Sequence, residues 1–456
     1  MSDLEGLVRE LTAQNKPKEE IIRRLVLDIQ TYKPFLEEQD KENLAKTVYK
    51  EVSRTINIST QNPFLKNIFS YTQAQASMNE LGVGCRGEGD HFVHQLLAEI
   101  AATSVPTFLG PKDQDDAGVV GYQGQIIAVA VDGTHSRLTD FPFLSGFHVT
   151  RAALRDIFVK GAQPVALLTD LHLADDGDVG KLFDFMAGIR VISELSQVPL
   201  VAGSTLRIGG DMVIGKRFVS CVGCVGVIDQ QSALASRKKI QEGDYILCTE
   251  NATGGGTIAT TALFSGNYEV VLETLNIRFL QAAQCLLKEN LFSKVHAVVD
   301  WTNGGIRLDF NSMCENLGLG MTVNASDVAA IVNPKVKAML ESLDIDYLGV
   351  SLDALVIFCP PQNVDLILTA LKQAQVPCRI IGKVVKEPKY LQLIDEGGKK
   401  ERLAPGFRES AYTDVKKLVD KDSDSDKEFI KLKAQKAAKE AVEKANRVVQ
   451  WIKNRG

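Results

Sequence analysis

Apolar and polar positions along the chain follow two different periods. Over residues 1–80 apolar residues recur at helical spacing, as at Leu4, Leu7 and Leu11. Between residues 119 and 228 short apolar runs typical of buried strands alternate with helical stretches, and the same alternation returns in the second half of the chain. This pattern predicts a small helical extension followed by α/β layers, in which helices pack against sheets.

The alternation also predicts individual elements. We expect each short apolar run to be a strand, and each amphipathic stretch between two runs to be a helix. The predicted strands are 126–131, 165–171, 198–202, 219–228, 245–249, 295–299 and 355–358, and the predicted helices of the first α/β region are 149–160 and 183–196.

Polar and charged segments divide the chain into four parts. A polar stretch at 229–244 separates the two α/β regions, and the chain becomes charged after residue 405. An acidic linker at 420–426 precedes a final segment whose apolar residues fall on one helical stripe, which predicts a long amphipathic helix. The predicted parts are a helical extension at 1–80, an N-terminal domain at 81–232, a C-terminal domain at 233–390, and the charged linker with the amphipathic helix at 391–456.

The composition restricts the class of protein. The chain has 456 residues, 45% hydrophobic and 24% charged, which suits a globular protein of two domains plus extensions. Its net charge of -5 gives no electrostatic case for binding nucleic acid. No apolar run approaches the roughly 20 residues that span a bilayer, and the N-terminus does not resemble a signal peptide. The 8 cysteines form no dense framework, so we expect reduced thiols in a cytoplasmic protein.

Four aspartates lie close to the ends of apolar runs in the first α/β region. Asp115 and Asp116 come just before a strand, Asp132 ends that strand, and Asp156 lies on the following helix. Carboxylates gathered at strand ends can hold Mg²⁺, which completes its coordination shell with phosphate oxygens and water. The alternative is that these are ordinary solvated or helix-capping aspartates.

A short loop at residues 82–89 is rich in glycine and includes Gly84, Gly87 and Gly89. Glycines let the backbone approach a phosphate, and the N-terminus of the predicted helix that follows would favour an anion. We expect Asp90 to cap this helix. The alternative is a flexible hinge between the helical extension and the first domain.

Two residues are candidates for catalysis. Cys85 stands in the glycine-rich loop beside Arg86, where a cation and a helix N-terminus would favour the thiolate; the alternative is a cysteine tolerated in a turn of small residues. His135 follows the strand-end aspartates closely and is expected to line the same pocket. Cys221 and Cys224 are not expected to bind one metal ion, because positions three apart on a strand face opposite sides.

Several segments, taken in chain order, resemble motifs of one ATP-binding superfamily. Residues 115–118 resemble its Asp-Asp-Ala-Ala signature, and residues 202–205 stand where Gly-Gly-Asp-Thr is expected. Residues 300–306 look like the Asp-Pro-Thr-Arg-Gly-Gly-Leu of the hydrogenase-maturation carbamoyl dehydratase. Further matches lie at 153–164 and 380–384, so that the resemblance covers about residues 82–386. The superfamily, called AIR synthase-related or PurM-like, includes aminoimidazole ribonucleotide synthase, selenophosphate synthetase and thiamine-monophosphate kinase, and the resemblance does not select one branch.

The resemblance implies an α/β (α+β) fold of two domains. The N-terminal domain of the superfamily dimerises through its sheet, and ATP lies between the two domains, with Mg²⁺ bridging its phosphates to aspartates. The expected partners are therefore ATP, a small-molecule substrate and a second copy of the chain, and the terminal helices offer a possible site for a protein partner. Carried over by motif, the expected metal ligands are Asp115, Asp116, Asp132 and Asp156, the expected ATP-binding residues are Gly84, Gly87, Gly89, Asp132, Asp156, Ser204 and Asn303, and the candidate catalytic residues are Cys85 and His135.

Two departures from the motifs leave two functions open. Ser204 replaces an expected aspartate with a neutral hydroxyl, and Asn303 stands where other members have an aspartate or arginine. The first hypothesis is an ATP-dependent enzyme, phosphotransferase or cyclo-ligase-like, that activates a small substrate by phosphoryl transfer. The second is a nucleotide-binding regulatory or scaffold protein of the same fold with lost or reduced catalysis.

Overall fold

The computed structural model describes residues 1–56, 58–249, 252–302, 304–419 and 427–454. Asn303 and the acidic linker at 420–426 lie outside the described residues. The elements are numbered here in chain order.

The N-terminal extension is helical, as its apolar spacing predicts. Three of its helices bury one apolar stripe each against the others, with Leu4, Ile21, Leu25 and Val48 at the centre of a separate small core. The elements of this extension are β1 (Ser2–Asp3), α1 (Leu4–Ala13), α2 (Lys18–Tyr32), α3 (Glu38–Ile56) and α4 (Pro63–Phe69).

The first α/β region forms a five-stranded sheet. The strand order is β2-β3-β7-β4-β5; β4 and β5 run parallel, and the other neighbours run antiparallel. A separate two-stranded pairing of β1 with β6 attaches the N-terminal extension to this region. The elements are α5 (Glu88–Ala101), β2 (Gly118–Tyr122), β3 (Gln125–Gly133), α6 (Pro142–Phe158), β4 (Gln163–Leu173), α7 (Gly180–Ser196), β5 (Leu200–Arg207), β6 (Val213–Ile214) and β7 (Phe218–Ile228).

The residues that the structure describes cover only one face of this sheet. Helix α6 packs on the inner face and buries Leu154, Ile157 and Phe158 there. The outer face carries apolar side chains in contact with solvent, among them Val131 (66% exposed) and Leu168 (40% exposed). Because soluble proteins rarely expose a contiguous apolar sheet face of this kind, the outer face is a candidate interface.

The second α/β region forms a seven-stranded mixed sheet, in the order β14-β13-β10-β12-β8-β11-β9. Its last two strands follow residue 390, the predicted end of the C-terminal domain, so the sheet extends further along the chain than expected. The elements are β8 (Tyr245–Thr249), α8 (Gly256–Ser265), α9 (Val271–Thr274), α10 (Arg278–Lys288), β9 (Ala297–Asp300), α11 (Gly305–Leu317), β10 (Gly320–Asn324), α12 (Ala325–Ile331), α13 (Pro334–Ser342), β11 (Leu355–Cys359), α14 (Val364–Gln373), β12 (Cys378–Val385), β13 (Leu391–Ile394) and β14 (Lys400–Arg402).

The two sheets share one core. Phe158 and Phe185 of the first region belong to the same buried cluster as Phe279 and Ile357 of the second. This continuous packing fixes how the two domains face each other, and it therefore fixes the geometry of the cleft between them.

One stretch, Tyr268–Lys288, is long and apolar enough to cross a membrane by length and composition. This finding corrects the expectation that no run reaches that length. The stretch is not one continuous helix, because α9 ends at Thr274 and α10 begins at Arg278. Its apolar side, which includes Phe279, packs into the core shared by both sheets. Core packing accounts for part of this composition, since 39% of the most apolar 18-residue window is buried inside the protein.

The C-terminal segment contains α15 (Asp414–Val419) and the long amphipathic helix that the sequence predicts, α16 (Lys427–Lys453). Ile430 and Ala434 of α16 are buried in a small cluster with Leu81 and Leu96. The far end of α16 packs against α4, where Trp451 stacks on Phe64 with ring centroids 4.3 Å apart. The C-terminal helix therefore packs against the last helix of the N-terminal extension.

Candidate nucleotide and metal site

A cavity of about 490 Å³ lies in the cleft between the two domains. Helix α5, strand β3 and helix α6 line it from the N-terminal domain, and the end of β9 and helix α11 line it from the C-terminal domain. Its only strongly cationic walls within the described residues are Arg86 and Arg237. The acidic residues that line it are Asp90, Asp115, Asp116, Asp132, Asp156, Asp300 and Asp309.

Asp115 is held by cations and hydrogen-bond donors. Its carboxylate pairs with the fully buried Lys160, and it accepts hydrogen bonds of 3.1 Å from both Ser236 Oγ and the backbone N–H of Arg237. Burial alone would raise the pKa of Asp115, but the charges of Lys160 and Arg237 outweigh it and lower that pKa. The carboxylate of Asp115 is therefore already occupied by ion pairs and hydrogen bonds within the protein. It is less suited to bind a metal ion than its position in the motif predicts.

Asp116 is only partly satisfied. One oxygen pairs with Arg237. The other, Oδ2, is buried and accepts no hydrogen bond from the described residues, although Lys160 Nζ lies 3.1 Å away. A buried carboxylate oxygen in this state is costly unless a ligand completes its interactions.

The remaining carboxylates of the cavity raise one another's pKa. Burial, opposed by Arg155 and reinforced by Asp300, raises the pKa of Asp132 to about 6. Burial, followed by the charges of Asp132 and Asp300, raises the pKa of Asp156. Burial also raises the pKa of Asp309 to about 7, against the opposing charge of Arg237. The cluster therefore holds more negative charge than its own cations balance.

These residues fit a hard divalent cation. Asp132, Asp156 and the open oxygen of Asp116 offer the oxygen ligands that Mg²⁺ prefers, and such an ion would relieve their mutual repulsion. Within the described part of the chain, no three acidic, histidine or cysteine side chains converge closely enough to enclose an ion by themselves. Phosphate oxygens and water would therefore have to complete the shell, as is usual for Mg²⁺.

The repulsion among these carboxylates lowers the free energy of unfolding, and this effect can be measured. The folded-state pKa of Asp309, about 7, lies above the value of about 3.9 for an unfolded aspartate, so its contribution to stability is lost as the pH rises from about 4 to 7. At pH 8 without divalent cations we expect Asp309→Asn to raise the free energy of unfolding by about 4 kcal/mol. At about pH 3.5, where the carboxyl is largely protonated in both the folded and the unfolded chain, the two chains should differ little. Denaturant unfolding at both pH values measures this; equal stability at pH 8 would contradict the charge cluster.

A second cavity of about 430 Å³ adjoins the first. Arg86, Asp132 and Thr302 line both, so the two cavities meet at these residues. His135 lines the second cavity, with its Nδ1 3.3 Å from the hydroxyl of Tyr412. Burial lowers the pKa of His135 to about 4, so the ring is neutral at pH 7 and can donate or accept one hydrogen bond without carrying charge.

The glycine-rich loop has a different environment from the one its sequence suggests. Gly84 lines the second cavity and donates its N–H to Asp90 over 2.8 Å. Gly87 is the N-cap of α5, with φ of 106°, so the prediction that Asp90 caps the helix is wrong. A Cβ on Gly87 would lie 2.7 Å from the carbonyl oxygens of Gly406 and Phe407, which makes glycine necessary for this close approach.

The N–H groups at the start of α5 already have partners. Glu88 N donates to Gly406 O over 3.0 Å, and Gly89 N donates to Phe407 O over 3.2 Å. A phosphate contact of the kind predicted for Gly87 and Gly89 would need these groups to exchange partners. Neither glycine lines either of the two cavities.

Two other expected site residues, Cys85 and Ser204, are not brought into the cleft. Cys85 is 8% exposed and lines neither cavity, so the predicted reactive thiol is buried beside the site. Ser204 lies within β5, opposite Asp170, on the exposed edge of the first sheet. Asn303 lies outside the described residues. Cys224 is buried and Cys221 is partly exposed on β7, in agreement with the prediction that they face opposite sides.

Several residues that shape the site were not predicted from the sequence. Lys160 lies inside a matched motif, but nothing in its spacing shows that it reaches Asp115. Arg237 lies in the polar stretch that is interpreted above as a separator between domains. Asp300 ends a predicted strand and could have been grouped with the other strand-end aspartates, whereas Asp309, on α11, gives no such signal.

The fold and the site define a two-domain α/β protein with an acidic cleft between its domains. Models of the family described as AIR synthase related protein match it in both halves, the N-terminal domain at residues 114–228 and the C-terminal domain at residues 241–393. The chain is also 46% identical over 459 residues to an uncharacterized protein of Methanocaldococcus jannaschii, covering 100% of this chain and 99% of the relative. The chain belongs to the AIR synthase related family.

Solved structures with the same fold include two complexes with nucleotides. One is the hydrogenase maturation protein HypE in complex with ATP, with a TM-score of 0.52 and 18% identity, covering 72% of this chain and 97% of that chain. The other is AaThiL complexed with AMPPCP and TMP, with a TM-score of 0.52 and 15% identity, covering 70% and 96%. At these identities the likeness establishes the PurM-like fold, which confirms the predicted fold class.

Proposed function

We propose that this protein is an ATP-dependent enzyme that activates a small substrate by phosphoryl transfer in the cleft between its domains. The observation that carries the proposal is the cluster of buried carboxylates, chiefly Asp116, Asp132 and Asp156, whose excess negative charge calls for a divalent cation. Proteins of this fold that bind ATP or AMPPCP support the choice of nucleotide.

Different residues of the cleft would bind the metal ion and the phosphate groups. Asp116, Asp132 and Asp156 would each offer ligands to Mg²⁺, with phosphate oxygens and water completing its shell, and the bound ion would neutralise phosphate charge. Arg86 and Arg237 line the same cavity and are placed to contact phosphate oxygens. Lys160 fixes Asp115, which in turn holds the backbone of Arg237 through a 3.1 Å hydrogen bond.

The two adjoining cavities suit two reactants. The first cavity, with its carboxylates, is the proposed nucleotide site, and the second, which contains His135, is the proposed site of the acceptor substrate. Because both are lined by Arg86, Asp132 and Thr302, the transferred phosphoryl group would sit at this junction. Holding both reactants at one junction supplies the positioning on which phosphoryl transfer depends.

Release of ADP tests this proposal. The full chain should release ADP from ATP in the presence of Mg²⁺, at a rate that a suitable small acceptor increases, and EDTA should stop the reaction. A chain that binds ATP with Mg²⁺ but never releases ADP above the uncatalysed rate, with any acceptor in a broad panel, would overturn catalysis and leave the binding function.

The alternative is a regulatory or scaffold protein that kept the nucleotide site. The observation in its favour is that Lys160 and Arg237 already neutralise Asp115 and part of Asp116. Ser204, which motivates this alternative in the sequence, carries less weight in the structure, because it lies on the exposed strand β5 and its hydroxyl removes no carboxylate from the described cavity.

We also propose that two copies of the chain associate through the outer face of the five-stranded sheet. Val131→Asp places a charge on the exposed apolar surface of β3 and should convert a dimer into a monomer in sedimentation at micromolar concentration. Leu366→Asp is the matched control, since Leu366 is an exposed apolar residue (47%) on α14, away from this sheet. A wild-type monomer, or dissociation by Leu366→Asp alone, would contradict this interface.

A further inference from the structure

A segment that follows the C-terminal sheet is bonded to the start of α5. This segment, residues 404–413, is called the strap here, and it lies beyond residue 393, the last residue of the matched C-terminal family domain. The carbonyl oxygens of Gly406 and Phe407 in the strap accept the N–H groups of Glu88 and Gly89 over 3.0 and 3.2 Å. The contact between the strap and the N-terminal domain is therefore made by main-chain hydrogen bonds.

Arg86, in the glycine-rich loop, has an unusual backbone conformation. Its φ is 57°, in the left-handed region that residues other than glycine rarely adopt. Such a conformation persists only where the surrounding structure holds it. Here the carbonyl oxygen of Arg86 accepts a 2.9 Å hydrogen bond from the backbone N–H of Glu409 in the strap. The strap therefore helps to hold the backbone that carries the Arg86 guanidinium.

The side chain of Arg86 lies where the two cavities meet. Among the described residues that line these cavities, Arg86 is the one arginine or lysine common to both. Its Nη1 lies 3.7 Å from the carboxylate of Asp90, a distance longer than a hydrogen bond, and 40% of the side chain is exposed. The guanidinium therefore depends on its backbone for its position more than on this ion pair.

Glu409 holds the strap itself in place. Its side chain is 8% exposed, and its two carboxylate oxygens have different partners. One oxygen accepts the N–H of Gly406 over 2.7 Å, and the other accepts a 3.0 Å hydrogen bond from Arg307 of α11. The first bond closes the turn of the strap, and the second fixes the strap to the C-terminal domain. Because Glu409 and Arg307 line neither cavity, any effect they have on a ligand must act through other residues.

The next residue of the strap is bonded to the turn before α11. Ser410 Oγ accepts the N–H of Gly304 over 3.1 Å and donates to Gly349 O over 3.3 Å. A Cβ on Gly304 would lie 3.4 Å from the Cβ of Arg86, so the stem of Arg86 packs against this turn. Two consecutive strap residues thus hold Arg86 on one side of the cleft and the turn that it contacts on the other.

We propose that Glu409 is a positioning residue for Arg86, and that through it the strap sets where the Arg86 guanidinium meets phosphate groups at the junction of the two cavities. The contact of Arg86 with phosphate rests on the proposed function. A guanidinium binds a phosphate well only where its supporting contacts fix its geometry in advance. Glu409 supplies this support twice, through its backbone N–H to Arg86 and through its carboxylate to Arg307.

Removing either partner of the pair between Glu409 and Arg307 tests this proposal. Glu409→Gln places an amide N–H₂ against a donor, and Arg307→Gln removes the cation. Without nucleotide, the backbone N–H groups of Glu88 and Gly89 should exchange with solvent faster in both variants. In calorimetric titration with Mg²⁺ and a non-hydrolysable ATP analogue, each variant should bind the analogue about tenfold more weakly than the wild type.

A double-mutant cycle separates positioning from a purely structural role. Arg86→Gln should weaken binding of the analogue by itself, and adding Glu409→Gln to Arg86→Gln should weaken it no further. A purely structural contact would instead reduce the affinity by the same factor with or without the Arg86 guanidinium. If Glu409→Gln does not fold, Arg307→Gln completes the same cycle with Arg86→Gln.

Arg379→Gln is the matched control, because it removes another ion pair of the C-terminal domain, the 2.9 Å contact with Asp327, and lines neither cavity. It should bind the analogue as the wild type does. The proposal is overturned if amide exchange is unchanged in both variants, if both bind the analogue like the wild type, or if Glu409→Gln weakens binding equally without the Arg86 guanidinium. No turnover is measured, so a chain that binds the analogue but never releases ADP from ATP would contradict the proposed function and leave this result standing.

Discussion

Replacing Asp132 and Asp156 together by asparagine should weaken Mg²⁺-dependent ATP binding at least about 100-fold, because the change removes two of the three carboxylates that fit the ion. Their burial among like charges means that the same change should leave the fold intact or stabilise it. Calorimetric titration of ATP with Mg²⁺ measures the affinity, and thermal unfolding without Mg²⁺ measures the stability.

The matched control for this double variant is Asp365→Asn, at an exposed position in the first turn of α14. It should bind ATP as the wild type does. If the double variant keeps wild-type affinity, the carboxylate cluster does not hold the metal; if Asp365→Asn loses affinity as strongly, the effect reflects overall charge and not the site.

The second large effect concerns stability. Lys160 has no exposed surface, and its ammonium group pairs with both Asp115 and Asp116. Lys160→Met keeps the length of the side chain but leaves two buried carboxylates with Arg237 as their main cation. We expect a loss of about 3–5 kcal/mol in the free energy of unfolding, the usual cost of removing one partner of a buried ion pair.

Adding Asp115→Asn to Lys160→Met separates this cause from simple loss of packing. The double variant should recover part of the lost stability, because one of the uncompensated charges is gone. Lys372→Met, at an exposed position, should change stability by no more than about 0.5 kcal/mol. If Lys160→Met unfolds like the wild type in denaturant, the ion pairs around Asp115 contribute nothing to the fold.

The elements that the sequence predicts well are those with a strong local pattern. The strand expected at 245–249 is β8 (Tyr245–Thr249), and the strand expected at 219–228 is β7 (Phe218–Ile228). A short apolar run between polar turns strongly favours a buried strand. The helix expected from 149 begins earlier, at Pro142, where proline at the first turn sets the helix start. The sequence also predicted that Asp116 and Asp132, near strand ends, would meet Asp156 of the following helix, and these three residues do line one cavity.

The rest of the site depends on contacts between distant parts of the chain. From the sequence, Gly87 is predicted to be a phosphate-binding glycine. In the structure, this position needs glycine because the backbone of residues 406 and 407 approaches it closely. From the sequence, Arg237 belongs to a polar stretch that separates the two domains. In the structure, it forms an ion pair with Asp116 across the cleft. No local sequence pattern predicts these contacts, because neither contacting residue stands out within its own segment. Only the tertiary fold brings the two residues together.

Crystals of the full chain grown with Mn²⁺ and a non-hydrolysable ATP analogue test the central claim most directly. The account predicts an anomalous scattering peak for Mn²⁺ bound to the carboxylates of Asp132 and Asp156, with the phosphates of the analogue facing Arg86 and Arg237. An analogue bound outside this cleft, or bound within it while the carboxylates hold no metal, would contradict the account.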